Sequence, residues 1–326
     1  MSDPAQLIQK IRAALAPCRL GEWPTALEQV PALARDIGVS ELAVKREDRS
    51  AARYGGNKVR GLEFLLAGAA PGTTFVTVGG TGSTHCLATA VHAAALGYRT
   101  AVAQFPQPET PASRAVAAAC AKQATLVVRA RARATLPLAV LEAWRGARRL
   151  DRGLRRWIPG GGAHPRAVVG HFLAGLELAS QVARPPDAIV VPVGTGGTAA
   201  GLSLALGTLG WATRLVGVRV APAIVANRWR TLRLARAAQR LLAGVGASLP
   251  PPIEPIVIDG TGRGYGWPTT DGEAARRLAG EHGLVLDSTY SAKAFGALMR
   301  RGTWKVQRVV FWHTFAVPAS ILELVP

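Results

Sequence analysis

Two long stretches of this 326-residue chain, residues 64–98 and 188–213, contain no Asp, Glu, Lys or Arg. Glycine pairs, threonines and prolines cut both into strand-sized and helix-sized pieces, so they read as buried α/β core and not as membrane spans. Apolar strand-like runs alternate with helix-like runs along nearly the whole sequence, the pattern of an α/β fold with parallel sheets. The pattern predicts a strand over 73–78 ending at Gly79-Gly80, a helix over 84–96 stopped by Gly97, and a strand over 99–103. A helix over 111–121, a strand over 125–128 and a helix over 136–150 continue it. Then follow a helix over 173–182, strands over 188–193 and 214–220, and a long helix near 224–243. Helices over 270–282 and 291–301 and a strand over 307–312 complete the chain. No repeat-sized period is visible, which excludes a solenoid.

The chain is long enough for one large domain or two modest ones. Its 22 prolines and 36 glycines are spread among apolar segments and punctuate a globular fold. Three scattered cysteines, Cys18, Cys86 and Cys120, give neither a disulfide framework nor a C-x-x-C motif, which fits a reducing, cytoplasmic setting. Cys86 reads as a small buried hydrophobe. The first residues lack the basic and apolar regions of a secretory signal. A net charge of +19 raises the question of nucleic acid. The excess arginine, however, lies at helical spacing within 129–156 and 228–240, with no finger, zipper or aromatic stacking pattern. Solvated helix faces account for it, and neither nucleic acid nor membrane is expected as a partner.

Two motifs carry chemistry. Lys58 stands in Gly55-Gly56-Asn57-Lys58-Val59-Arg60, after an extended run ending in Lys45-Arg46-Glu47-Asp48 and at the head of an amphipathic helix. An amine beside glycines at such a junction suits Schiff-base chemistry, because the backbone can approach a bound ring and the lysine stem is held by helix packing. Far along the chain, the apolar run 190–193 leads through Gly194-Thr195-Gly196-Gly197-Thr198 into a small-residue helix. Backbone N–H groups of that loop, at a helix N-terminus, make a phosphate seat. A dinucleotide fingerprint would need a carboxylate about twenty residues on. The strand over 214–220 has arginines instead, which disfavours NAD and leaves NADP open.

An amine and a phosphate seat together suggest pyridoxal 5'-phosphate, and the wording and order of the motifs agree. Besides those two, they are Thr77-Val78-Gly79-Gly80 with Ser83-Thr84-His85, Ile158-Pro159-Gly160-Gly161-Gly162 and Gly264-Tyr265-Gly266-Trp267-Pro268-Thr269. Leu286-Asp287-Ser288-Thr289-Tyr290-Ser291-Ala292-Lys293-Ala294 and His313-Thr314 follow. In these stretches, which run nearly end to end, the chain resembles the fold-type II PLP enzymes of the D-cysteine desulfhydrase and 1-aminocyclopropane-1-carboxylate (ACC) deaminase group.

The resemblance implies a tryptophan synthase β-like fold of two open, twisted parallel-sheet domains with the cofactor in the cleft. A larger domain, 1–60 and 171–326, would hold the cofactor, and a smaller one, 61–170, would be inserted. Lys58 would bond the cofactor aldehyde and move the Cα proton, with Asn57 touching the ring hydroxyl or ordering the loop. Gly194, Thr195, Gly196, Gly197 and Thr198 would seat the phosphate, and Thr314 would face the pyridine nitrogen. Ser83, Thr84 and His85 would hold the substrate carboxylate, with Ser83 able to relay a proton. Tyr265 and Tyr290 would serve the leaving group or a proton. The implied enzyme is a homodimeric lyase or deaminase acting on a small amino acid and giving a 2-oxo acid and ammonia. Racemisation, β-replacement or a catalytically silent PLP-binding protein are the alternatives. The chain also departs from the family's usual residues. Gly82 stands for glutamine, Thr84 for asparagine, Gly61 for a phosphate-facing lysine, and Phe315-Ala316 for a glycine pair. Ser291 replaces the glutamate typical of ACC deaminases.

Overall fold

The computed structural model describes residues 3–150, 154–300, 306–316 and 321. The elements run α1 Pro4–Leu15, β1 Leu27–Gln29, α2 Pro31–Ile37, β2 Glu41–Arg46, α3 Lys58–Leu66, β3 Thr74–Gly80, α4 Thr84–Ala95 and β4 Arg99–Phe105. They continue with α5 Pro111–Gln123, β5 Leu126–Arg129, α6 Leu136–Leu150, β6 Arg155–Ile158, α7 Pro165–Leu178, β7 Ala188–Val193 and α8 Gly197–Leu209. The last are β8 Arg214–Arg219, α9 Arg228–Ala243, β9 Ile256–Asp259, α10 Thr270–Glu281, α11 Ser291–Met299 and β10 Arg308–His313.

These strands form two sheets. One has six strands in the order β1-β2-β10-β7-β8-β9, the other four in the order β5-β4-β3-β6. Apart from the β1–β2 pair, every strand pairing is parallel. β7 lies inside the larger sheet and all six of its residues are buried, which is why its sequence is an unbroken apolar run. Pro192 is tolerated there because the pairing with β10 ends at Val190, so its missing N–H falls beyond that ladder.

Helices cover the sheets on their apolar faces. α9 buries Thr231, Ala235, Ala238 and Leu242 and turns its arginines outward, as expected of a cationic helix face. α3 serves two cores: Leu62, Leu65 and Leu66 pack with β3 and α4, while Phe64 joins α1, α7 and α8. Among the described residues no helix is long and apolar enough to cross a membrane.

The helix expected over 173–182 is in fact α7. It starts at Pro165, a residue already fixed for the first helical turn, with the His164 ring accepting the Arg166 N–H. The long basic helix starts at Arg228, where Asn227 caps it, and not near 224. The helix expected over 291–301 ends at Met299; its last expected residue, Arg301, lies outside the described residues.

Parallel sheets leave their chemistry at the carboxyl ends of the strands. Here the ends of β7 and β10 in one sheet and of β3, β4 and β6 in the other meet at one cavity of about 340 Å³.

Candidate active site

The cavity is lined by every residue singled out as a site residue from the sequence, from Asn57 and Lys58 to Thr314. Lys58 is the first residue of α3, and the preceding Asn57 ties that helix start to two other elements. The Asn57 side-chain amide donates to Thr198 Oγ1 at 2.8 Å, and its backbone N–H donates to the Thr314 carbonyl at 2.9 Å. Lys58 Nζ donates to the carbonyl of Gly161 at 3.1 Å. Among the described residues no carboxylate pairs with it. Burial, with nothing opposing it, lowers its pKa to about 8, so a large share of the amine is unprotonated in mildly alkaline water.

Gly194–Thr198 follows β7 as a tight turn into α8. Gly196 has φ 85°, and a side chain there would meet Thr231 Oγ1 at 2.9 Å, so glycine is needed on both counts. The first N–H groups of α8 have no partner within the helix and face the cavity end of the turn. Thr195 Oγ1 is buried without a hydrogen-bond partner. It packs on Gly161, where a Cβ would come within 2.5 Å of it. The turn thus offers donors and carries no acid of its own, which is the chemistry of an anion seat.

The facing wall comes from the four-stranded sheet. Ser83 caps α4, its Oγ accepting the Cys86 N–H at 3.3 Å, and Thr84 opens the helix. His85 Nε2 lies 3.0 Å from Thr77 Oγ1, and that hydroxyl donates to the carbonyl of Ile158 at 2.9 Å. Nε2 must therefore carry the proton, leaving Nδ1 as a buried acceptor with no partner. Burial first, and the Lys58 charge second, push the His85 pKa down to about 3, so the ring is neutral. Cys86 is fully buried with its thiol pKa raised by desolvation, the inert small hydrophobe expected.

Tyr265 and Tyr290 approach oxygen to oxygen at 2.6 Å, with their rings edge to face. Desolvation pushes the Tyr265 pKa up to about 12 and that of Tyr290 well above its ordinary value, so both phenols keep their protons. Asp287 fixes this corner by accepting the backbone N–H groups of Thr289, Tyr290 and Ser291 at 2.8–3.0 Å. Thr314 follows β10 and is buried. Phe315 beside it packs on Tyr54 and over Gly56, occupying space that the family's glycine would leave open.

Several wall residues have no mark in the sequence. Phe105, Arg133, Leu136 and Val225 also line the cavity, and the Arg133 guanidinium lies 5.6 Å from the Phe105 ring. Phe105 and Leu136 sit at element ends with no motif to mark them. Arg133 lies within an arginine-rich run, 129–156, whose spacing reads as a solvated helix face. The Gly161 carbonyl that holds Lys58 was hidden inside a glycine triplet whose role is set by backbone alone.

Comparison with known proteins agrees with this geometry. Residues 18–314 match the family described as pyridoxal-phosphate dependent enzyme. A D-cysteine desulfhydrase of Klebsiella pneumoniae subsp. pneumoniae is 33% identical over 313 residues, covering 91% of this chain and 92% of the relative. A nocardicin C-9' epimerase of Nocardia uniformis subsp. tsuyamanensis is 34% identical over 299 residues, covering 89% and 90%. Among solved structures, an ACC deaminase homologue superposes with a TM-score of 0.81 at 28% identity, covering 97% of this chain and 99% of that one. A partly buried amine on the same cavity as an anion seat, and a family match spanning most of the sequence, lead to one conclusion: the chain belongs to the family of pyridoxal-phosphate dependent enzymes.

Proposed function

We propose that this enzyme is a lyase or deaminase that breaks the Cα–H bond of a small amino acid and expels a β-substituent or the amine. With one water taken up, the products are a 2-oxo acid and ammonia, together with sulfide when the substrate is D-cysteine. The observation that carries this reading is the Lys58 amine: partly buried, without a carboxylate partner among the described residues, and opening on the same cavity as the α8 N-terminus. When bound, pyridoxal 5'-phosphate joins an amine through its aldehyde and draws electrons from the substrate's Cα into its ring.

The cavity fits that cofactor on three counts. Its volume is in the range of small-ligand sites. Thr195 Oγ1 is a buried polar atom still lacking a partner at the seat. Among the described residues the wall has no Asp or Glu to repel a phosphate. Gly194, Thr195, Gly196, Gly197 and Thr198 would hold the phosphate, Asn57 would orient the ring hydroxyl, and Thr314 would serve the pyridine nitrogen. A neutral hydroxyl at that nitrogen does not stabilise a positive charge there as a carboxylate would, which favours prompt loss of a leaving group.

Lys58 Nζ takes the proton from Cα and holds it. Ser83 and Thr84 bind the substrate carboxylate with the N-terminus of α4, whose exposed amides favour an anion. His85 has committed its proton to Thr77, so it serves that corner as an acceptor through Nδ1 and not as a cation. The protonated phenols of Tyr265 and Tyr290 share one hydrogen bond, so one donates to the other and the accepting phenol keeps its O–H for the departing group. In this scheme residues 1–60 and 171–326 form the larger, cofactor-holding domain, 61–170 the smaller one, and the active form is a cytoplasmic homodimer.

A second reading, epimerisation, is favoured by the 34% identical relative named as an epimerase. Incubating the holoenzyme with a panel of D- and L-amino acids separates the two. Elimination yields keto acid and ammonia from at least one of them; inversion without keto acid would replace it, and no reaction with any amino acid would defeat both.

A further inference from the structure

We propose that His171 is a phosphate-binding residue of the cofactor site, acting alongside the turn at 194–198; the inference rests on reading that turn as the phosphate seat. His171 lies in the middle of α7 and is 4% exposed. Its Nδ1 is buried with no partner, and no hydrogen bond to Nε2 is found among the described residues. A buried imidazole with neither nitrogen satisfied costs free energy, and such groups point to something that binds there.

The backbone fixes where the ring goes. α7 and α8 touch so closely that a Cβ on Gly201 would overlap the Cβ of His171. One helical turn earlier, a Cβ on Gly197 would stand 3.9 Å from His171 Cδ2 and Nε2. The imidazole therefore extends from the crossing point back along α8 to its first residue, and its Nε2 edge faces the N-terminal turn. α7 cannot shift away, because its other side is locked against α3. A Cβ on Gly170 would overlap the Arg60 carbonyl, and one on Gly61 would meet Ala167 Cβ at 2.9 Å.

Charge makes the same point. Gly61 leaves α3 without a cation at that position. Arg60 is held on both sides by Glu47 and Glu177, at 2.7–2.8 Å, and cannot turn to the seat. Lys58 is committed to the aldehyde end of the cofactor. Among the described residues His171 is thus the histidine beside the first residue of α8. Buried as it is, and close enough to Lys58 to feel its charge, the free ring is neutral. A phosphate dianion in the turn supplies the missing acceptor, and the imidazole donates to it in a charge-assisted bond.

The test compares pyridoxal 5'-phosphate with pyridoxal, which lacks the phosphate, titrated into full-length protein freed of cofactor. Wild type binds the phosphate form more tightly. His171→Phe, which keeps the volume and removes both nitrogens, weakens pyridoxal 5'-phosphate by about 10- to 100-fold and leaves pyridoxal unchanged. His171→Gln, which keeps a donor, loses less. In wild type with isotope-labelled histidine, the His171 ring N–H signal shifts as that of a newly hydrogen-bonded donor on adding pyridoxal 5'-phosphate and stays in place with pyridoxal. That readout needs no variant to fold. Unchanged phosphate-form affinity in His171→Phe, equal weakening of both ligands, or ring signals indifferent to the phosphate would each overturn the proposal. A wild type that cannot tell the two ligands apart would instead overturn the phosphate-seat reading beneath it.

Discussion

Lys45 is buried and Lys58 partly buried, and desolvation lowers both pKa values to about 8, yet their surroundings differ in kind. Lys45, on β2, donates to the Thr25 carbonyl at 2.8 Å and to Gln181 Oε1 at 2.7 Å, with Glu177 at 3.6 Å. It belongs to a closed network in which Arg60 joins Glu47 and Glu177 under the cation–π cover of Trp23. Lys58 has one carbonyl for a partner and opens onto a cavity. A buried charge with all its partners is architecture. A partly buried amine with almost none is a candidate nucleophile. The perturbed pKa alone does not tell the two apart; the partner list does.

Exchanging the roles of the two lysines breaks the comparison most forcefully. Lys58→Ala is expected to lower turnover by about 10⁴-fold, the upper end of what positioned proton transfer contributes, while thermal stability holds or rises. Lys45→Met leaves Glu47 and Glu177 short of a cation in the interior and is expected to cost about 3–5 kcal/mol in urea denaturation, with the cofactor still bound. If Lys45→Met instead lost the cofactor at undiminished stability, the contrast would be void.

A smaller effect comes from pH. The Lys58 pKa is depressed to about 8, so the reactive neutral amine grows about tenfold per pH unit below that value and levels above it. The rate at which cofactor-free protein captures pyridoxal 5'-phosphate, followed by its visible absorbance, is expected to bend near pH 8. A rate still climbing steeply toward pH 10 would mean a solvent-like amine. The smallest change is Ser83→Ala, which removes the α4 cap and is expected to cost about 1 kcal/mol in thermal denaturation. A rise in KM beyond the effect on stability would reveal the carboxylate contact.

Much of this arrangement could be read from residues alone, for a reason specific to each element. β7 and α8 were legible because a strand buried on both faces must be apolar throughout, and the turn between them must contain Gly196. β6 was not legible, since Arg155-Arg156-Trp157 looks like surface. In the fold the two guanidinium groups lie over Trp144 and Phe75 and donate to the Trp144 and Ala67 carbonyls, so an edge strand is built from charged residues. β9 is a short edge strand at the end of a proline-rich segment and gave no period to count. The buried ion network and His171 escaped for a shared reason. Polar side chains far apart in sequence look solvated until the helix crossings of α3, α7 and α8 bring them inside. The site motifs were visible because their glycines and hydroxyls are set by local backbone needs. The apolar wall of Phe105, Leu136 and Val225 was invisible because tertiary packing alone chooses it.

The central claim is that Lys58, among all the lysines, holds the cofactor. Reduction of the holoenzyme with borohydride, followed by peptide mass analysis, tests it directly. The account predicts the reduced cofactor's added mass on the peptide containing Lys58, with the Lys45 and Lys293 peptides unmodified. The same mass on either of those, or on no lysine at all, would contradict it.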